Sequence, residues 1–283
     1  MKSTRRIPLH LLVLASLSLA PAIAQAQAFP DSAHRFQFSL AGNLSSIDTQ
    51  VSLGPPGGGT GASLVFEDLF DIPVHEQFLE LQGTWKYAGR NYLDLGYLNL
   101  ERTNRVIVDR DVQFGEYTFH AGAEVEASFA SRFFYLAYRR DLLQLAPVRI
   151  SVSAGITQTL LRAGMTGSGN ITDQNGQVVT GTRSRDSKVK LPVPMLGFQV
   201  EWDVTARNRI LAFHRFIGLE TSDIRGAMLE STLRYHYFVT PHWGLGAGFE
   251  TVSVELPRYT TEDFTARFSY GIVGATLYLQ SSF

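Results

Sequence analysis

The chain has 283 residues, 25 basic against 26 acidic side chains and no cysteine, and its charged fraction is 18%, below the roughly 25% of ordinary soluble domains. A near-neutral balance excludes the basic footprint of a nucleic-acid binder, and the lack of cysteine excludes disulfide frameworks, thiolate metal sites and thiol catalysis. After residue 25 no run approaches the ~18 consecutive apolar residues of a membrane helix.

Lys2, Arg5 and Arg6 precede an apolar run from Leu9 to Ala20, and Pro21 then leads into the small-residue stretch AIAQAQA. That order of charge, apolar core and small residues is a secretory signal. Residues 1–26 are read as a cleaved signal peptide, with cleavage after residue 24, 26 or 28, and residues 27–283 as one β-barrel domain.

From His34 onward apolar and polar residues alternate with period two, the pattern of strands whose successive side chains point to opposite faces. Phe36, Phe38 and Leu40 alternate with Arg35, Gln37 and Ser39; Leu79, Leu81, Trp85 and Tyr87 alternate with Glu80, Gln82, Thr84 and Lys86. The scheme returns at Val148 to Ile156, at Phe198 to Val204 and at Leu229 to Tyr237. Arg215 falls on the apolar parity of its strand, and the segment after Trp243 is expected to need a bulge near Glu250 to keep its phase. The pattern predicts an all-β, antiparallel fold of about ten strands within a range of roughly 8 to 12. They fall near residues 34–48, 75–88, 91–104, 122–140, 147–165, 187–204, 208–222, 225–240, 243–256 and 264–283. Every second connection is short, at 89–91, 141–147, 206–208 and 241–242, whereas those at 53–73, 105–122 and 167–186 are long. Short turns at one end and long loops at the other are the mark of a transmembrane up-and-down β-barrel.

A secreted soluble barrel would share the period, so the aromatic residues decide. Trp85, Trp202 and Trp243 all lie beside short connections, joined there by Tyr87, Tyr92, Tyr235 and Tyr237. Such a belt at one rim suits rings with an apolar body and a wet tip at a lipid interface. The expected location is the outer membrane of a Gram-negative cell, with both termini on the periplasmic side.

The final strand, YGIVGATLYLQSSF, ends on Phe283 and resembles the terminal strand by which proteobacterial outer-membrane proteins are recognised for assembly, although Ser281 stands where an aromatic residue is commonest. GASLVFEDLFD (61–71), with its acidic pair Glu67 and Asp68, and NYLDLGYLNLER (91–102), which with Arg90 gives an R-x-x-L-D-x-x-Y pattern through Leu93, Asp94 and Tyr97, are similar to segments of a largely uncharacterised group of small proteobacterial outer-membrane β-barrel proteins. The resemblance implies the fold, the location and an encounter with the barrel-assembly machinery through the C-terminal strand; it implies no activity.

The parity opposite the apolar one collects Glu80, Lys86, Asp94, Arg102, Arg149, Glu201, Asp203, Glu230, Arg234 and His236, with His214 on a neighbouring strand. These residues are expected to form a polar lumen network, either a packed interior of paired charges or a narrow conduit for transport or binding. If the first turn centres on Arg90, Lys86 faces Asp94 and Arg102 lies one diagonal step from Glu80. About eight strands leave room only for side chains, so about ten are marginal for a channel. His214, His236 and Glu230 could suggest a metal or a general base, but spacing places no third ligand and no nucleophile. No cofactor, metal or catalytic residue is therefore assigned. The alternative is an outer-membrane hydrolase acting on lipid A, phospholipid or peptide, which would need a His to meet a nucleophile or an acid pair. In the long loop before residue 187, Arg183 and Arg185, with Lys188 and Lys190, are expected to contact lipopolysaccharide, because guanidinium forks suit phosphate. The first long loop carries Leu64, Phe66, Leu69 and Phe70, too apolar for a free loop, and is expected to fold inward as a plug that sets Glu67 and Asp68 against lumen arginines.

Overall fold

The computed structural model describes residues 34–54, 63–173, 175–179, 181–220, 224–260 and 265–283; the expected leader lies outside the described residues. Ten long strands form the wall: β1 (Phe36–Gly54), then, after the two-residue β2 (Leu64–Val65) and the short helix α1 (Phe66–Phe70), β3 (His75–Ala88) and β4 (Asn91–Ile107). Two short strands, β5 (Val112–Phe114) and β6 (Tyr117–Phe119), precede β7 (Glu124–Leu145) and β8 (Val148–Ser168). Another pair, β9 (Ile171–Asp173) and β10 (Val178–Val179), precedes β11 (Arg183–Thr205), β12 (Asn208–Glu220), β13 (Ile224–Phe238), β14 (Trp243–Thr260) and β15 (Thr265–Ser282). Each long strand pairs antiparallel with the next, and β15 pairs with β1 along its whole length, so the sheet closes on itself. The strands tilt: paired positions followed round the wall from Asn91, at the turn end of β4, reach His75 at the loop end of β3.

Outward residues in the half next to the short turns are apolar and exposed. On β1 these are Phe36, Phe38, Leu40 and Leu44, and on β14 Trp243, Leu245 and Phe249. At ~3.3 Å per residue and a tilt of roughly 40°, the stretch from Phe36 to Leu44 stands roughly 20 Å tall, close to the ~25 Å apolar band of an outer-membrane barrel. Beyond it the polarity of the wall changes sides. On β14 the outward residues become Thr251, Ser253 and Glu255, while the inward ones run Gly244, Gly246, Gly248, Glu250 and then Val252, Val254 and Leu256, the last three buried. No bulge is needed near Glu250, because its inward parity is continuous; the register shifts instead between Leu256 and Tyr259. Three bare glycines make room for neighbouring side chains. A Cβ at Gly246 would fall 2.1 Å from the Tyr278 ring, and one at Gly244 the same distance from His236.

The loop-end interior is a hydrophobic core in which Ile47, Val51, Phe129, Leu161, Val189, Phe268, Tyr270 and Ile272 are fully buried. Two closures complete it. β3 begins late, at His75, leaving a notch between the upper parts of β1 and β4 that β2 and α1 fill. α1 turns Phe66 and Phe70 inward, both with no exposed surface, and Phe66 meets Phe129 edge-on at 6.3 Å. The chain leaves α1 through Asp71, whose φ of 49° is the left-handed cap commonly seen at a helix end. Over the mouth, β5, β6, β9 and β10 form a separate four-stranded cap whose underside buries Val112, Phe114, Phe119 and Ile171.

Candidate functional site

The turn-end half of the lumen is built from ion pairs in layers. In the first, Arg139 of β7 donates from Nε to Asp94 of β4 at 2.7 Å, lies 3.6 Å from Glu201 of β11, and stacks over Tyr92 at 4.2 Å. Glu201 also receives Arg149 at 2.5 Å and Arg209 at 3.3 Å, and Arg209 reaches Asp203 at 2.6 Å. Asp141 is buried here, accepting from the Tyr92 and Ser151 hydroxyls at 3.0 and 2.7 Å. The second layer holds three carboxylates and two guanidiniums. Arg215 pairs with Glu230 at 2.5 Å and stacks on Tyr135 at 4.0 Å, while Arg234 lies 3.3 Å from Glu80 and 3.9 Å from Glu250. Higher still, Arg102 donates to Glu67 of α1 at 2.7 Å and to the Thr49 hydroxyl, and the Thr49 amide donates to the other Glu67 oxygen at 2.9 Å. A cavity of about 130 Å³ remains in the turn-end half, lined by Asp94, Arg139, Glu201, Arg209, Arg234 and His236 among others.

Several pairings differ from those expected. Lys86 faces Tyr92, not Asp94, because the register shifts between Lys86 and Ala88 beside the tight turn; Asp94 lies opposite Thr84 and takes Arg139 as its cation. Arg102 meets Glu67 rather than Glu80, which pairs with Arg234 across the lumen. His214 is not in the lumen. Its strand turns Arg209, Arg215 and Ile217 inward, so His214 shares the outward parity of exposed Phe216. It lies opposite Ser231, with Nδ1 2.9 Å from Oγ. His236 is buried in the lumen, with Nδ1 3.3 Å from the Tyr278 hydroxyl. Of the acidic pair in α1, Glu67 points inward and Asp68 is exposed. Of the four expected rim cations, Lys188 and Lys190 face outward and are exposed, but Arg183 and Arg185 take the inward parity. Arg185 reaches towards Glu116 of the cap at 3.9 Å. Among the described residues no three His, Asp or Glu side chains converge as a metal site.

Arg139 and Asp141 are not legible as lumen residues in the sequence, and Glu250 and Arg215 stand out there only as breaks in the alternation. Three consecutive charges, Arg139, Arg140 and Asp141, conceal which parity is which, and Asp141 reads as part of a turn.

The cap carries its own polar contact. His120 has Nδ1 2.9 Å from Asp111 and Nε2 3.0 Å from the Thr172 hydroxyl, tying the β5–β6 hairpin to β9. The hydrogen bond from His120, and then the Ala121 amide at 3.1 Å, hold the Asp111 carboxyl below its ordinary range. A carboxylate held down in the folded state contributes order above its unfolded value of ~3.9 and loses it as pH falls through the folded value. The Ala121 amide proton should therefore shift with a midpoint below ~3.9 in an NMR titration of the refolded protein, and Asp111→Asn should abolish that transition; a wild-type midpoint at or above ~3.9 would contradict the contact.

No protein-family model and no curated protein matches the sequence. Solved structures do. The chain is similar to the outer-membrane protease OmpT of Escherichia coli, with a TM-score of 0.56 and 11% identity, over 92% of this chain and 99% of that one. Weaker likenesses are to the toluene transporter TodX of Pseudomonas putida (TM-score 0.36, 10% identity, 90% and 92% covered) and to the translocator domain of the autotransporter NalP of Neisseria meningitidis (0.41, 7%, 96% and 93%). Fold and apolar belt together define a ten-stranded outer-membrane β-barrel of a Gram-negative envelope. By the rule of short periplasmic turns, the ionic half of the lumen faces the periplasm and the cap faces outward.

Proposed function

We propose that this protein is a sealed, non-catalytic barrel with a structural or binding role in the envelope, not an open conduit. One observation carries this reading: the outer half of the lumen is filled by an apolar core into which α1 inserts Phe66 and Phe70, beneath a four-stranded cap. A continuous water path would have to break that core. The periplasmic cavity is lined by guanidiniums and carboxylates already engaged with one another, which suits rigid packing better than capture of a large ligand.

The alternative, an outer-membrane hydrolase, draws on two contacts. Asp111, His120 and Thr172 place a carboxylate and a hydroxyl on the two nitrogens of one imidazole, the order a nucleophilic relay requires. His214 and Ser231 meet on the lipid-facing wall, although across from His214 stands Phe198 rather than an orienting acid. Planar-bilayer recording and fluorophosphonate labelling of the refolded chain separate the readings. The expected result is a folded, heat-modifiable barrel with no discrete conductance steps and no labelled residue. Ohmic steps would replace the sealed barrel by a channel, and labelling at Thr172 or Ser231 would replace it by a hydrolase.

A further inference from the structure

The outward wall just above the apolar belt is unevenly charged. On β7, Phe134, Leu136 and Tyr138 are exposed belt residues, and the next outward position towards the loops is Arg132. On β8 the outward series runs from exposed Ile156 through Gln158 and Leu160 to Arg162, and on β11 from Leu196 through two prolines to Lys190 and Lys188. Register brings these cations together. Lys188 lies directly opposite Arg162, and Leu160 is flanked in one row by Arg132 and Lys190. Neighbouring strands are ~4.8 Å apart, so the four cations occupy a patch roughly 10 Å across, within the reach of their own side chains.

Like charges placed directly opposite each other on a sheet destabilise it. Nearby acids offset only part of this: Glu101 lies 3.7 Å from Arg132 and Asp186 3.7 Å from Arg162, both loose contacts between exposed side chains. On the far side of the wall the outward positions mix signs, Asp48 and Glu255 with Arg225 and Arg267. The basic patch is therefore local, and it sits where the apolar band ends and lipid head groups begin.

We propose that Arg132, Arg162, Lys188 and Lys190 form a wall site for the phosphate groups of the outer-leaflet glycolipid, lipopolysaccharide. Guanidinium forks on β7 and β8 donate paired hydrogen bonds to phosphate oxygens while the lysines supply point charge. The acyl chains of the same lipid lie along the belt below, against Phe134, Ile156 and Leu196. Neither a sealed nor an open lumen is required, so the site goes beyond the function proposed above. The expectation drawn from sequence is altered in its members: Lys188 and Lys190 stay, while Arg132 and Arg162 take the places of Arg183 and Arg185.

The test uses the refolded full chain in detergent with purified lipopolysaccharide, bound lipid being counted by native mass spectrometry. Arg132→Gln, Arg162→Gln, Lys188→Gln and Lys190→Gln combined should weaken binding at least tenfold, whereas four neutralisations elsewhere, at Arg90, Arg110, Arg207 and Arg225, should leave it within twofold. Lipopolysaccharide stripped of phosphate should bind wild type and the quadruple variant equally weakly. Excess inorganic phosphate should not displace the intact glycolipid. Unchanged binding by the quadruple variant, or equal binding of the stripped lipid to wild type, would overturn the site, and displacement by inorganic phosphate would assign it to a free anion. Folding is checked by the heat-dependent gel shift. Should the quadruple variant not fold, the Arg132/Lys190 and Arg162/Lys188 pairs are tested separately, each with an expected loss of about threefold or more.

Discussion

Arg139→Met is expected to destabilise the barrel by roughly 3–5 kcal/mol, the scale of breaking a buried ion pair from one side. The side chain is 9% exposed and is the bidentate partner of Asp94, at 2.7 and 3.3 Å, as well as a neighbour of Glu201. Met fills similar volume, so little of the effect comes from packing. What remains is an Asp94 carboxylate that, among the described residues, has the Thr84 hydroxyl to answer it, in a lumen whose wall is surrounded by lipid. Glu201 suffers less, since Arg149 and Arg209 still reach it. The double variant Arg139→Met with Asp94→Leu should regain most of the loss, because removing both partners leaves no unmatched charge. Urea midpoints of the refolded proteins in detergent measure both; a single variant within about 1 kcal/mol of wild type would mean that water reaches Asp94 freely.

Loosening α1 should produce a different signature. Phe66→Ala removes a fully buried ring that packs on Phe70 and Phe129, a change that typically costs about 3–5 kcal/mol. The wall is held by its own ladder, so the loss should fall on the helix: 63–74 should become a site of thermolysin cleavage while the barrel stays heat-modifiable. Arg102→Leu should act in the same direction from the other side, by removing the cation that pairs with Glu67 and leaving the Thr49 amide bond. Wild-type protein cut as fast as either variant would show that the plug is not held in place. The measurement requires chain in the orientation found in the cell, so intact cells or outward-facing vesicles are the right material.

Much of the wall was legible in the sequence because period two needs only local side-chain chemistry. All ten strands fall close to where the alternation puts them, and the apolar segment at Leu64 to Phe70 declared itself by being too hydrophobic for solvent. Register was less legible. A shift beside one tight turn reassigns Asp94 from Lys86 to Arg139, and nothing within that hairpin's sequence announces it. His214 was misplaced because belt residues and core residues are both apolar: on β12, Phe213 points inward and Phe216 outward, so hydrophobicity alone gives no parity. The three inward glycines of β14 hid its phase for the related reason that a residue without a side chain belongs to neither face. The wall cations gather only after three strands are laid side by side, since Arg132, Arg162 and Lys188 are about thirty residues apart in sequence and meet through long-range pairing.

The exchange of polarity between the two faces, seen on β14 at Glu250, also sets how deep the molecule rides. Were the barrel to sink by one pair of residues, Thr251 and its counterparts would enter hydrocarbon. Were it to rise, the exposed leucines and phenylalanines of the belt would enter water above a core that gains nothing in exchange. An aromatic girdle alone lets a barrel bob by a few ångströms, whereas here β14 also carries its own waterline. In bilayers thicker than the belt, the lipid rather than the protein should do the adjusting, thinning around the wall to meet it.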